Sequence, residues 1–306
     1  MFSRNIPTLL MTSAFALGIS LTVGLGTYLA PVAQAADYRQ SDVDAQVALL
    51  SSQSSQTRKQ AAYHLSEMAK DAKRAVPALI ETLQDPIAFG EAASALGKIG
   101  PDAGAAVPEL IKCLGNTELG YDRCYVASAL GGIGKSPELA VPALQKMVAS
   151  DDDNTLRRLS AMALGDFGPE AKQSVGVLIE AVKTGDPEMR AAAARSIGQI
   201  GGADHDIPAL VGLLSDEVDG ARLGAVKALG RMGTEAVSGV PKLTDLLKDN
   251  SDEICLAAVQ TLGAIGPEAK PAVPALKAAL KVDKGDDFRS NVLDAIKKIE
   301  KRNRNQ

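Results

Sequence analysis

The sequence contains no tryptophan, and aromatic residues make up only 3% of its 306 positions. Hydrophobic residues nevertheless reach 46%, so the core must be filled mainly by alanine, valine and leucine. Such small side chains suit helices that approach one another closely, because the interaxial distance depends on the residues at the contact. The apolar fraction also excludes a largely disordered chain.

The chain also lacks an excess of positive charge. Its 33 lysine and arginine residues against 37 aspartate and glutamate residues give a net charge of -4. Nonspecific binding to DNA or RNA requires a basic field that displaces counterions. We therefore predict that no nucleic acid is among its partners.

Motifs that carry chemistry are absent as well. The sequence has two histidines and contains no Ser-His-Asp set, no glycine-rich phosphate loop after a strand, no CxxC pair and no HExxH. An active site requires a convergent acid, base and nucleophile, and none is evident. The sequence therefore predicts no catalytic residue, no metal site and no cofactor.

The first 35 residues differ from the rest. Arg4 is their only charge, residues 9–30 are largely apolar, and residues 33–35 form an A-x-A cleavage site. This pattern is typical of a secretory signal peptide. We predict that residues 1–35 are removed and that residues 36–306 reach a periplasm, a lumen or the extracellular space without a membrane span. The alternative is an uncleaved anchor, because the apolar stretch exceeds the usual h-region of about 7–15 residues.

A repeat with a period near 33 residues occupies the remaining chain. A Val-Pro pair or its equivalent returns at spacings of 31, 34, 34, 32, 33 and 33 residues. The pairs begin at Val76, Val107, Val141, Val175, Ile207, Val240 and Val273. A Leu-Gly landmark follows each of the first six, as in "LGKIG" from Leu96 and "LGAIG" from Leu262. A fixed period of this length is the mark of a solenoid.

Each unit reads as two antiparallel helices. The first begins at the proline, which costs little in the first turn of a helix, and the second ends at the last glycine of the landmark. The earlier glycine lies inside the second helix, where we expect it to allow close approach of a neighbouring helix. With terminal units at residues 43–70 and 270–301 acting as caps, the sequence predicts an all-α solenoid of eight helix pairs.

The units resemble the HEAT-like repeats of the phycobilin lyase type, whose pattern is similar to "AVPALIEAL-D-VR-AAA-ALG-IG". The resemblance implies a HEAT/armadillo-type superhelix with a ladder of structural arginines seven residues before each landmark. Those arginines are Arg58, Arg123, Arg157, Arg190, Arg222 and Arg289, and Phe89 and Cys255 break the ladder. We expect the arginines to pair with acids of the preceding loop, such as Asp186 or Asp216.

Fold alone does not specify function, because HEAT-like stacks serve many tasks. The default prediction is a protein-binding scaffold or assembly factor that uses the concave face. The resemblance also implies an alternative, a bilin lyase or isomerase-like enzyme or a pigment-protein chaperone. A di-iron hydroxylase on similar repeats needs several His-Glu pairs, which His64 and His205 alone do not supply.

The predicted binding face follows from the repeat register. If the second helices line the concave side, as in similar solenoids, the middle of that face is apolar and its C-terminal part is basic. An apolar patch with a charged rim suits a protein or peptide partner, here an acidic one. The predicted site consists of Tyr125, Arg158, Leu159, Met162, Arg195, Lys227 and Arg231. The alternative is that Leu159 and Met162 pack between units.

The three cysteines, Cys113, Cys124 and Cys255, are an odd number for an oxidising compartment. Cys113 and Cys124 lie at the ends of adjacent antiparallel helices, so either a disulfide or two buried thiols fits the pattern. Cys255 replaces a ladder arginine and is expected to be a small core residue.

Overall fold

The computed structural model describes residues 42–201, 207–282 and 284–301. All regular secondary structure in these ranges is helical. The predicted signal peptide at residues 1–35 and His205 lie outside the described residues. The described residues belong to one compact unit that extends from Arg39 to Gln306.

Sixteen α-helices form eight successive antiparallel pairs in the described part of the chain, which confirms the predicted number. The pairs are α1 (42–49) and α2 (Ser55–Met68), α3 (Val76–Thr82) and α4 (Phe89–Ile99), α5 (Val107–Gly115) and α6 (Arg123–Ile133), α7 (Pro137–Ser150) and α8 (Asn154–Asp166), α9 (Val175–Thr184) and α10 (Pro187–Ile200), α11 (Ile207–Leu213) and α12 (Asp219–Met232), α13 (Val240–Asp245) and α14 (Asp252–Ile265), and α15 (Val273–Ala279) and α16 (Gly285–Glu300).

Short 3₁₀ helices join most pairs to the next. Five of these linkers contain seven residues and run directly into the first helix of the following pair, as Gly100–Ala106 runs into α5. The Val-Pro pair then begins that helix in α3, α5, α13 and α15, as predicted. The prediction is wrong for α7, which begins at Pro137 and keeps Pro142 in its interior. There Ser136, with a φ of 52°, ends the linker early.

The landmark glycines end the second helices in the predicted way. Six of them have positive φ angles between 56° and 85° at the end of a second helix: Gly100, Gly134, Gly168, Gly201, Gly233 and Gly266. This conformation is costly for residues with a Cβ atom, which explains the glycine. In the first pair Ala69 occupies the equivalent place with a φ of 49°, so the N-terminal unit lacks the favoured residue.

Second helices pack directly on one another along the stack. A Cβ atom at Gly97 would lie 2.9 Å from Cα of Ala129, and one at Gly131 would lie 3.0 Å from Cα of Ala163. The internal landmark glycines therefore permit close helix approach, as the sequence predicted. Successive first helices make fewer contacts. We therefore still expect the second helices to line the concave side of the solenoid, as in similar repeat stacks.

The ladder arginines connect neighbouring pairs, but their partners differ from the prediction. Arg190 Nε lies 2.8 Å from Asp216 Oδ2, and Asp216 belongs to the loop of the following pair. The equivalent pairs are Arg58 with Asp85, Arg123 with Asp151, and Arg222 with Asp249. The preceding loop supplies mainly main-chain carbonyls, and Asp186 instead accepts a hydrogen bond from the amide of Met189 at the start of α10. The prediction of acids in the preceding loop is therefore wrong.

Two ladder arginines make weaker contacts. Arg157 donates to the carbonyl of Val148 and to Asn154 Oδ1, and Arg289 donates to the carbonyl of Leu280. No ion pair to either guanidinium occurs within the described ranges. The ladder is therefore structural at all six positions, but it forms a charge pair at only four.

Candidate concave binding site

The exposed positions of the second helices lie on one side of the stack, which we call the inner face and which we predict to be its concave side. Within each second helix the landmark leucine or isoleucine is buried, and the residue two positions earlier points outwards or is half-buried. From the second to the sixth pair this position forms a row of Ser94, Ser128, Met162, Arg195 and Lys227. The row changes from two serines to a methionine and then to two cations. The character of the inner face therefore changes along the stack, from polar to apolar to basic.

The apolar part of the inner face lies on α6 and α8. Tyr125 is 42% exposed, whereas Leu159 and Met162 are half-buried. Leu159 also packs against the core. Part of its side chain therefore lies between repeat units, which was the alternative to a role in binding. Tyr125 and Leu159 each lie five residues before the landmark, which places them side by side on successive helices.

Tyr121 extends this apolar part and was missed by the sequence analysis. Its ring is 62% exposed and meets the ring of Tyr125 edge to face, with 6.5 Å between the centroids. The Tyr125 ring also lies over α4, since a Cβ atom at Gly90 would be 3.1 Å from its Cε2 atom. Tyr121 precedes α6 in a 3₁₀ turn and has no fixed place in the repeat, so periodicity alone could not identify it.

A groove of about 410 Å³ lies between α10 and α12 on the basic part of the inner face. Its walls bring together three of the predicted residues, Arg195, Lys227 and Arg231. The floor is formed in part by glycines, and a Cβ atom at Gly224 would lie 2.9 Å from the amide nitrogen of Arg195. Arg158, on α8, does not line this groove.

The three cations of the groove differ in their partners. Lys227 Nζ lies 2.9 Å from Glu253 Oε1 on α14, so its charge is compensated. Arg231 donates a hydrogen bond to the carbonyl of Gly198, which holds its guanidinium across the groove. The Arg195 side chain is exposed and has no hydrogen bond or ion pair to any described residue. Arg195 and Arg231 therefore carry the charge of the groove that no described carboxylate compensates, and of the two only Arg195 has no hydrogen-bond partner among the described residues.

The cysteines are free and buried within the described residues. Burial raises the pKa of the Cys113 thiol, and it raises that of Cys124 to about 11. Neither thiol is a reactive nucleophile at neutral pH. Cys255 Sγ contacts the carbonyl of Asp249 at 3.1 Å, so it replaces an arginine as a donor to the loop, in agreement with a core role. Within the described ranges no group of three or more His, Cys, Asp or Glu residues could hold a metal ion.

The fold of the described residues is that of an α-helical repeat solenoid. The chain belongs to the HEAT repeat family, which it matches over residues 90–165, 141–230 and 219–297. No curated protein matches the sequence significantly. No helix of the described residues is long and apolar enough to cross a lipid bilayer.

Two solved structures of engineered proteins, both from the Northeast Structural Genomics Consortium, are similar to this chain. The first shares 25% identity with a TM-score of 0.60, covering 86% of this chain and 81% of the other. The second shares 26% identity over 73% of this chain and 96% of the other, with a TM-score of 0.43. The first structure supports the repeat-solenoid fold.

Proposed function

We propose that this protein is a scaffold or assembly factor that binds a segment of another protein on its inner face. The observation that carries the proposal is the exposed pair Tyr121 and Tyr125 beside the half-buried Leu159 and Met162. Most exposed positions of neighbouring second helices carry small or polar residues. Aromatic side chains dominate the energetics of many protein interfaces, because they bury a large area at a low cost in conformational entropy.

HEAT repeats commonly mediate protein interactions, which agrees with this reading. The alternative of a bilin lyase or isomerase-like enzyme, or of a pigment-protein chaperone, stays a prediction from the resemblance. The thiols of Cys113 and Cys124 are buried with raised pKa values, so neither supplies a nucleophile for such an activity.

We further propose that the protein is exported and acts in a periplasm, a lumen or outside the cell. Arg4, the apolar residues 9–30 and the A-x-A site at residues 33–35 support the proposal. Mass spectrometry of the native protein should then find Ala36 or a close neighbour at the N-terminus. Recovery of the intact N-terminal sequence from a cytosolic fraction would contradict it.

Site-specific photocrosslinking tests the binding proposal. A photoreactive amino acid at Tyr125 should capture a partner in native cells, whereas one at Leu139 on α7 should not. Leu139 is a matched control, because it is 48% exposed but lies on a first helix. Equal capture at both positions, capture at Leu139 alone, or no capture at Tyr125 would each contradict the proposal. Capture of a second copy of this chain would show that the face is a self-association surface.

The partner captured at Tyr125 then allows a quantitative test. Leu159→Glu with Met162→Glu should weaken its binding by about 2 kcal/mol or more, which is the loss expected of interface hot spots. The control Leu139→Glu with Val237→Glu changes two exposed apolar residues outside the inner face and should leave affinity unchanged. If the first double variant unfolds, Tyr125→Ala replaces it, since an exposed ring contributes little to the core.

A further inference from the structure

We infer that the groove between α10 and α12 binds a carboxylate on the partner segment, with Arg195 as its principal ligand. The inference rests on the proposed function, because it assigns one subsite of the same inner face. The occupant is an extended acidic segment of a partner protein. The evidence is the charge distribution of the groove, which runs against that of the chain as a whole.

The groove concentrates positive charge on an otherwise acidic protein. Removal of residues 1–35 takes away one basic residue, leaving 32 basic against 37 acidic residues, a net charge of -5. Three cations nevertheless meet in one groove, and Glu253 is the only acid among the described residues that line it. Since Lys227 and Glu253 neutralise each other, Arg195 and Arg231 supply the charge available to a ligand.

Arg195 is suited to this role by its position. It lies in the middle row of the inner face, directly after Met162 on the preceding second helix, and its guanidinium is exposed and unpaired among the described residues. Arg231 is already oriented by the carbonyl of Gly198, so little side-chain entropy remains to be lost when it approaches a ligand. A guanidinium offers two parallel N–H donors that match the two oxygens of a carboxylate.

The groove fits a carboxylate better than a phosphate. Glu253 forms part of the groove wall. Its carboxylate would repel a phosphate dianion more strongly than it would repel a carboxylate, which carries a single negative charge. Two available cations balance a pair of carboxylates along an acidic segment. Nucleic acid is a poor occupant for the same reason, because backbone binding needs many cations free of acidic neighbours.

The helix spacing sets where the carboxylate lies in the partner sequence. The groove is about one and a half helix spacings from α8, or roughly 12–15 Å for interaxial distances of 8–10 Å. An extended chain rises about 3.3 Å per residue, so that distance corresponds to about four residues. We therefore expect the acidic residue about four positions from the apolar residue that contacts Leu159 and Met162.

Fluorescence anisotropy with two labelled peptides and the purified protein tests the inference. The acidic peptide has two leucines, a spacer of three glycine or serine residues and two glutamates, and the neutral peptide has glutamines in place of the glutamates. At low ionic strength the acidic peptide should bind at least tenfold more tightly, and added salt should remove the difference. Equal affinities, or no binding of the acidic peptide, would overturn the inference.

Four variants assign the effect to the groove. Arg195→Gln should weaken the acidic peptide at least fivefold without affecting the neutral one, and Arg195→Lys should restore only part of the loss. Glu253→Gln should tighten binding two- to fivefold, because it releases Lys227. The control Lys98→Gln, which removes an inner-face lysine paired with Glu67, should have no effect. Unchanged binding in Arg195→Gln would show that the groove is not the site.

Competition distinguishes the class of anion. Acetate should displace the acidic peptide at least as well as inorganic phosphate at equal ionic strength, and preferential displacement by phosphate would overturn the assignment to a carboxylate. If these peptide tests fail but photocrosslinking at Tyr125 still captures the partner, the inference of a carboxylate subsite is wrong and the proposed function stands. Loss of crosslinking at Tyr125 would instead contradict the proposed function.

Discussion

Arg222 joins three successive parts of the solenoid. Its Nε atom lies 2.9 Å from Asp249 Oδ2 in the next pair, while its Nη1 atom donates to the main-chain carbonyl of Asp216 at 2.8 Å in the loop of its own pair. One side chain therefore holds its own loop and the following loop in a fixed relation. Arg58 and Arg190 repeat the arrangement with Asp85 and Asp216. The ladder thus ties each of these pairs to the pair that follows.

The ladder makes stability depend on pH. The hydrogen bond from Arg190 lowers the pKa of Asp216 below its usual 3.8. A lowered folded-state pKa contributes stability above the unfolded value, and that contribution is lost as the pH falls through the folded value. We expect Asp216→Asn to lower the free energy of unfolding by about 2 kcal/mol at pH 7, in the range of hydrogen bonds to charged groups.

The measurement is urea denaturation of wild type and Asp216→Asn between pH 7 and pH 2.5. The difference should remain constant above about pH 5 and shrink below pH 4, because the wild-type carboxylate then becomes protonated. Lys277→Gln is the control, since Lys277 and Glu300 form an exposed pair that should contribute less than about 1 kcal/mol. A difference between wild type and Asp216→Asn that stays constant down to pH 2.5 would contradict the account.

The close approach of neighbouring helices predicts how glycine-to-alanine substitutions change the stability of the protein. A Cβ atom at Gly132 would lie 2.6 Å from the carbonyl oxygen of Gly97 on α4, and a main-chain atom cannot move aside without shifting a helix. Gly132→Ala should therefore destabilise the protein by about 1–3 kcal/mol, as overpacking does. In α11 a Cβ atom at Gly212 would meet nothing within 4 Å, so Gly212→Ala should stabilise by about 0.5–1 kcal/mol.

Thermal and urea denaturation of both glycine variants provide the measurement. Opposite signs for the same chemical change are the expected outcome, because only Gly132 faces a neighbouring backbone. Destabilisation by Gly212→Ala of the same size as by Gly132→Ala would mean that the packing contact is not the cause.

The end of α2 offers a stabilising substitution. Ala69 has a φ of 49° where six other pairs have a glycine with positive φ. Ala69→Gly should raise the free energy of unfolding by about 1 kcal/mol, because the left-handed region costs an L-residue roughly 1–2 kcal/mol. Gly266→Ala is the reverse test, since Gly266 has a φ of 75° and no atom within 4 Å of an added Cβ.

Urea denaturation with a global fit of both variants measures these changes. Gly266→Ala should lower the free energy of unfolding by a similar amount through backbone strain alone. If Ala69→Gly destabilises the protein, the entropy that glycine gains in the unfolded chain outweighs the relief of backbone strain at that position.

Much of this fold was predictable because its signals are local. The 33-residue period, the helix ends at Gly100 and Gly266 and the close approach at Gly97 follow from the conformational limits of single residues and from helix periodicity. The sequence therefore determined the eight helix pairs and the side of each helix that faces its neighbour.

Interactions between units could not be derived in the same way. Asp186 and Asp216 both lie in the loop before a second helix, yet Asp186 caps α10 while Asp216 pairs with Arg190 from the preceding pair. The choice depends on how one pair is rotated onto the next, which is a property of the stack. The early start of α7 at Pro137 likewise depends on the conformation that the linker adopts at Ser136.

The candidate site shows the same division. The sequence alone placed Leu159, Met162 and Arg195 on one face, because they share a register in successive repeats. Only the tertiary structure decided that Tyr121 joins Tyr125, that Lys227 is neutralised by Glu253 and that Arg195 remains unpaired. These outcomes depend on distances between side chains of different helices, and no pattern along a single helix contains those distances.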